Sequence, residues 1–517
     1  MPLLPAAARG ADAASGAQLV AAAARNGLTP AVLAQRLRED RTLWLDRCGV
    51  LFFADEVPAP PQDADPPAVV DAAVAWPTSI APAEALTLHS RPGAQRTLLL
   101  DFDGDQVSGT GWNSTYGVAT IDAPAFTLDA DPSFSEAERV VIIEVWRRVA
   151  QDYAPFDVDV TTAQPEDPGV LTRSAATDQA FGTRVLITPE ATTQSRCTCG
   201  GRAYIGVFDL AGSHDFYQPA WVYPQTLGQN AKYIADAASH EAGHTLGLSH
   251  DGTPTSGYSS GSGGWGPIMG APYGQAVTQW SPGSYPGADN TEDDLAVIAA
   301  NGAPMMGDDQ AGTPTMLAAT ASATGLLGTA DDVDRFSVSV AAGSLAVEAT
   351  PFWPGPNLDL GLTITDPAGT VIATEAPAFD AAAPAASLRA SLTVSVPAGT
   401  YTIALEGTGN GIAGSAGASD DGSLGWYSLA VRAQAPGSPS PSPSPSAPTP
   451  AASASTSGSP SPSGPPPTTP PTTPPPTTPP PTTPPPTSPP PTTQATPDPT
   501  PPPSTPDPAP TTWTGSP

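Results

Sequence analysis

The sequence predicts an α+β unit built on a mixed twisted sheet, followed by an all-β sandwich and a disordered Pro/Thr/Ser-rich tail. Three observations carry this expectation. Apolar strand patterns alternate with amphipathic helices between Arg96 and about residue 300. Period-two patterns punctuated by Gly and Pro extend from about residue 315 to 432. Past Gln434 the chain becomes Pro, Ser and Thr repeats, which cannot bury enough apolar surface to offset the entropy of ordering. The expected divisions are an N-terminal region over 1–92, the α+β unit over 93–310, the sandwich over 311–433 and the tail over 434–517.

Taken in order, Ala17 to Arg38 reads as one helical stretch and Leu51-Phe52-Phe53 as a short apolar segment, with prolines crowded from Pro58 to Pro92. A segment this small buries little core alone, so it is expected to lean on the α+β unit. Thr97 to Phe102 is an apolar strand. Ser135 and Glu138 form a capping box that opens a helix to about Tyr153, striped with Val141, Ile142, Val145, Trp146 and Val149. Further strands are expected at Val158 to Thr162, Arg184 to Thr188, Ala203 to Phe208 and Trp221 to Tyr223, then a helix from about Ala231 to Leu246. In the sandwich, Arg335 to Val338, Leu362 to Asp366 and Leu392 to Val396 show the alternation of half-buried strands.

The end of the helix from Ala231 carries the chemistry. His240 to His250 read HEAGHTLGLSH, in a chain with only five histidines. On a helix His240 and His244 project from one face a turn apart, so their ring nitrogens can reach one metal ion. Glu241 lies beside them, placed to take a proton from water. Gly247 supplies the left-handed conformation that ends a helix, and His250 swings back as third ligand. The expected cofactor is zinc, in an open tetrahedral site, with Glu241 as general base.

This string resembles the metzincin clan of zinc peptidases, and Gly266-Pro267-Ile268-Met269-Gly270 is similar to the clan's methionine turn. The resemblance implies that Met269 sits beneath the three imidazoles. It also implies that the helix packs beneath a mixed sheet whose edge strand, by position Ala203 to Phe208, pairs with extended substrate. Asp251, directly after the third histidine, resembles the reprolysin (adamalysin-like) branch. Other branches place a tyrosine two residues past the methionine; here that residue is Ala271, and Tyr273, four past, is the candidate for a hydrogen-bond donor. Asp331 to Phe336, Pro356 to Asp359 and Pro397 to Tyr401 resemble the bacterial pre-peptidase C-terminal domain, a module of secreted peptidases.

Acidic residues exceed basic ones by 31, a surface that repels phosphate backbones and excludes nucleic acid as a partner. No run approaches the about 18 apolar residues of a membrane helix. The N-terminus lacks the apolar core of a signal peptide, which reads as a misplaced start, because everything downstream looks secreted or cell-wall associated. Protein or peptide substrates, and the cell wall through the tail, are the expected partners.

Of the three cysteines, Cys197 and Cys199 can pair with each other or one of them with Cys48. Asp46-Arg47-Cys48-Gly49 also resembles the matrixin cysteine switch, which implies a latency thiolate from a pro-region on the metal. Asp101, Asp103 and Asp105 are candidate calcium ligands. His89 and His214 read as surface or core residues. Two alternative functions remain open: a cell-wall binding or adhesion protein with a vestigial zinc site, and a zinc amidase acting on cell-wall peptides.

Overall fold

In the computed structural model, residues 4, 7–10, 14, 16–56, 79–129, 131, 133–189, 191, 199–409 and 420–435 are described. The expected tail from 436 on, the prolines between 58 and 78, and Cys197 lie outside them. The described residues belong to one unit, Met1–Pro441.

The N-terminal helical stretch is two helices, Gly16–Arg25 and Pro30–Glu39, because Gly27 takes φ 64° and Thr29 caps a new start in front of Pro30. They cover one face of a hairpin, Leu43–Leu45 and Leu51–Glu56, through Leu33, Leu37, Leu45, Leu51 and Phe53. The hairpin continues into an eight-stranded sheet. Its order is Ala8–Arg9, Leu43–Leu45, Leu51–Glu56, Cys199–Tyr204, Ala220–Val222, Phe181–Ile187, Arg96–Asp101, Val158–Thr161. Pairings are antiparallel as far as Ala220–Val222 and parallel beyond it.

Two helices pack on this sheet in one core. Glu136–Asp152 starts at the Ser135–Glu138 capping box and contributes Trp146, Val149 and Ala150; Ala231–Thr245 contributes Ile234, Ala238 and Ala242. The part after His250 is mainly loop, pinned by a two-stranded pairing of Trp265–Pro267 with Val277–Gln279 and by the helix Asp294–Ala300.

A five-stranded and a four-stranded sheet then face each other, burying Phe336, Val338, Leu345, Val347, Ile403 and Leu429. This sandwich docks on the helix Glu136–Asp152. Gln151 Nε2 donates to the Phe352 carbonyl (2.8 Å), and Asn357 Nδ2 to Asp152 Oδ1 (3.0 Å).

Two expectations are corrected. The chain is mostly β, with several sheets and few long helices, and not the α+β class expected from the helix-bearing motif. An eleven-residue motif fixes one local helix; it does not fix the proportion of strand around it. The second correction concerns the edge strand. It spans Cys199–Tyr204 instead of Ala203 to Phe208, and it is no edge, since Leu51–Glu56 and Ala220–Val222 hydrogen-bond to its two sides.

Candidate metal centre

The helix Ala231–Thr245 begins at Asn230, whose side chain accepts from the backbone N–H groups of Lys232 and Tyr233. Lys232 pairs with Asp236 one turn on (2.5 Å) and donates to the Pro272 carbonyl (3.2 Å), tying the helix start to the loop after Met269. The helix ends as its sequence requires: Gly247 has φ 100°, and the chain reverses to bring His250 back.

The three imidazoles are held by hydrogen bonds on their outer nitrogens. Nδ1 of His240 donates to the Ile268 carbonyl (2.8 Å), that of His244 to the Leu248 carbonyl (2.9 Å), and that of His250 to Asp40 Oδ2 (3.0 Å). In the neutral imidazole this tautomer leaves each Nε2 with its lone pair facing inward. His244 Nε2 and His250 Nε2 lie 3.1 Å apart, and His240 Nε2 is buried without a hydrogen-bond partner. Lone pairs converging in a buried space repel unless a cation lies between them. This donor set fits zinc.

A fourth donor completes the group. Asp55, from the strand Leu51–Glu56, lies 3.6 Å from His240 Nε2, 3.3 Å from His244 Nε2 and 3.1 Å from His250 Nε2. Ligand atoms of Asp55, His240, His244 and His250 all fall within 4.8 Å of one another, and all four residues are buried. Tyr258 donates to Asp55 Oδ1 (2.8 Å), and its ring lies 4.4 Å from that of His250. Without a metal, burial lowers the His240 pKa to about 3, helped by His244. His250 rises to about 9 against burial, because Asp55 and Asp40 face it.

Glu241 is buried beside this group, with Oε2 unpartnered. It packs on Gly201 of the strand Cys199–Tyr204 so closely that a Cβ there would overlap its carboxylate. Burial, and then the Asp55 charge, raises its pKa well above the usual carboxylate range. Tyr273, Tyr258, Asp55, His240 and Glu241 line one small cavity, and the Tyr273 ring rests edge-on against Tyr233 (5.2 Å).

Met269 is fully buried, and a Cβ added at Gly243 would meet its Sδ at 2.8 Å, which puts the sulfur against the helix between His240 and His244. Its carbonyl accepts from the Asp251 N–H (2.9 Å). The Asp251 side chain is buried with neither oxygen hydrogen-bonded, and burial with Glu292 nearby lifts its pKa to about 8.

The other candidates lie elsewhere. Cys48 is a free thiol in the turn after Asp46 and is not part of the metal group; burial and the Asp46 charge raise its pKa. Cys199 is disulfide-bonded, so it is not paired with Cys48. Asp101 and Asp105 are ion-paired with Arg184, at 3.5 and 2.6 Å, which supplies the positive charge a calcium ion would bring. His89 contacts Asp159 (2.7 Å) and His214 the Phe208 carbonyl (2.9 Å), both away from the metal group.

Sequence reasoning missed Asp55, Asp40 and Tyr258. The alternation of Phe53 and Asp55 along one strand face was the available signal, but it gains meaning only once the strand's neighbours are known.

No protein-family model matches the chain, and no curated protein does. Among solved structures, it is similar to the pre-peptidase C-terminal domain of a Bacillus anthracis collagenase at 13% identity and TM-score 0.17, over 23% of this chain and 95% of that one. PliG from Aeromonas hydrophila, a periplasmic inhibitor of g-type lysozyme, is similar at 15% identity and TM-score 0.16, over 24% and 98% of the two chains. A mitogen derived from Yersinia pseudotuberculosis matches at 12% identity and TM-score 0.16, over 22% and 86%. Among the described residues no helix is long and apolar enough to cross a membrane.

Proposed function

We propose that this chain is a secreted zinc-dependent endopeptidase of the metzincin type. The observation that carries this reading is the convergence of three imidazole Nε2 lone pairs beside a buried glutamate with no partner on one oxygen. His240, His244 and His250 would hold the ion. Zinc, when bound, supplies Lewis acidity and brings the pKa of a water toward about 7. Glu241 accepts the proton of the attacking water and returns it to the leaving amine, which its burial against Gly201 orients it to do. Tyr273 lines the same cavity, where its hydroxyl can donate to the carbonyl oxygen under attack.

A second reading is favoured by one specific observation: with Asp55 present the group has four donors, as structural metal sites do. Under it, the ion fastens the N-terminal hairpin and the sandwich binds a partner.

The test is zinc stoichiometry of the purified chain, with hydrolysis of a quenched-fluorescent peptide library before and after limited proteolysis. Turnover abolished by chelator, and reduced about 10²–10⁴-fold by Glu241→Gln with zinc retained, supports the peptidase. One zinc per chain with no turnover in either state supports the structural site.

A further inference from the structure

We infer that Asp55 is the fourth metal ligand and that its strand, Leu51–Glu56, occupies the place of an extended substrate, so the chain as folded here is a latent form. The inference rests on the peptidase reading above and adds how its site is closed.

Three features of the strand support it. First, Leu51–Glu56 pairs antiparallel with Cys199–Tyr204 through Phe52↔Tyr204, Phe53↔Ala203, Ala54↔Arg202 and Asp55↔Gly201. Main-chain pairing of this kind is how an extended peptide adds to a sheet edge. The register sets Asp55 directly opposite Gly201, the residue against which Glu241 packs, so the strand brings its carboxylate to the general base and the imidazoles together.

Second, side chains of a strand alternate between its faces. Phe53 and Asp55 therefore share the face toward the metal motif. The Phe53 ring lies 4.4 Å from that of His244 and 4.1 Å from that of His250. Phe52 and Ala54 turn the other way, into the core with Trp112 and Tyr204. An aromatic side chain against the imidazoles and a carboxylate among their Nε2 atoms leave no room for a peptide backbone there.

Third, the same N-terminal region reaches the site twice. Asp40, at the C-terminal cap of the helix Pro30–Glu39, accepts from His250 Nδ1, while Asp55 faces His250 Nε2. Two carboxylates from a single segment thus flank one imidazole, one at each ring nitrogen. Tyr258, from the loop after His250, then donates to Asp55 and fixes its orientation. No lysine or arginine is ion-paired with Asp55 among the described residues; its close nitrogen neighbours are the Nε2 atoms of these three imidazoles. A metal ion supplies the charge that this carboxylate would neutralise. The bond that holds the closed form is then carboxylate to metal. Opening it requires only that the strand leave, with no redox step and no thiol.

The experiment uses the full chain loaded with cobalt(II), its Asp55→Ala and Asp55→Asn variants, and acetohydroxamate as a probe that needs open coordination positions. The wild type is expected to bind one cobalt and to show no acetohydroxamate-dependent change in its visible spectrum. Both variants should bind one cobalt, respond to acetohydroxamate, and release the ion to a chelator at least about tenfold faster than the wild type. Asp55→Asn keeps the strand's shape, so it tests the charge even where Asp55→Ala unfolds the hairpin. A wild type that binds acetohydroxamate as tightly as the variants overturns the latch and leaves the metal site standing. Failure of the wild type and Asp55→Asn alike to bind cobalt overturns the peptidase reading and the latch with it.

Discussion

Two groups of carboxylates at strand ends, Asp55 and the Asp101–Asp105 cluster, solve the same electrostatic problem in opposite ways. Asp101 is buried and sits with Asp105 against the Arg184 guanidinium, so the positive charge is covalently part of the protein. Asp55 is equally enclosed, but it faces three imidazoles whose outer nitrogens already donate elsewhere. Carboxylates around an arginine make a finished ion pair. Carboxylate and lone-pair nitrogens around a shared point make a metal site.

The comparison breaks most visibly on removing a metal donor. His244→Ala should abolish stoichiometric zinc binding. Where zinc at a thousandfold excess over its Kd stabilises the wild type by about 4 kcal/mol, the variant should show no zinc-dependent rise in melting temperature. An equal rise in both would place the ion somewhere other than the histidine group.

At the other cluster, Arg184→Met should cost about 1–3 kcal/mol by leaving a buried carboxylate without its counter-charge. Burial already lifts the Asp101 pKa to about 6 against the pull of Arg184. A raised folded-state pKa gives stability that is full at low pH and is lost as pH rises through it. The deficit of the variant should therefore widen as pH climbs past 6, which urea unfolding at pH 5 and pH 8 would show. A pH-independent deficit would mean that Arg184 acts by packing alone.

The metal-free histidine group has its own pH signature. His250 sits at about 9, above the ordinary value of 6.5, so its contribution is complete below pH 6.5 and disappears as pH rises toward 9. The chelated chain should lose stability over that window, and the zinc-loaded chain should not, because the ion replaces the proton. Parallel curves for the two forms would contradict this linkage.

The smallest effect is expected at Cys48. Cys48→Ser should change stability by no more than about 0.5 kcal/mol and leave chelator release of the metal unchanged, because the thiol lies outside the metal group. Faster release in the serine variant would restore the thiol switch that the sequence suggested.

The N-terminal region shows how far a local motif reaches. Arg47-Cys48-Gly49 resembles a latency motif, yet Cys48 lies outside the metal group and Asp55 lies within it. What reaches the metal motif is set by strand pairing seven residues further on, where Asp55 comes opposite Gly201. Likewise, Ala203 to Phe208 overlapped the strand Cys199–Tyr204, but the pairing that covers its second side comes from a hairpin about 150 residues away in the chain.

The sequence by itself determined whatever is written in helical period and local conformation. One turn separates His240 from His244, Gly247 has to take a left-handed φ, and Ser135 with Glu138 has to cap a helix, since each involves residues that are neighbours along the chain. The period-two stretches likewise marked the sandwich. Tertiary structure alone decided the mostly β class, the closing of the Cys199–Tyr204 edge, and the joining of Asp40, Asp55 and Tyr258 to the histidines. The reason is physical: sheet register and long-range packing act between segments whose separation leaves no periodic trace in either one.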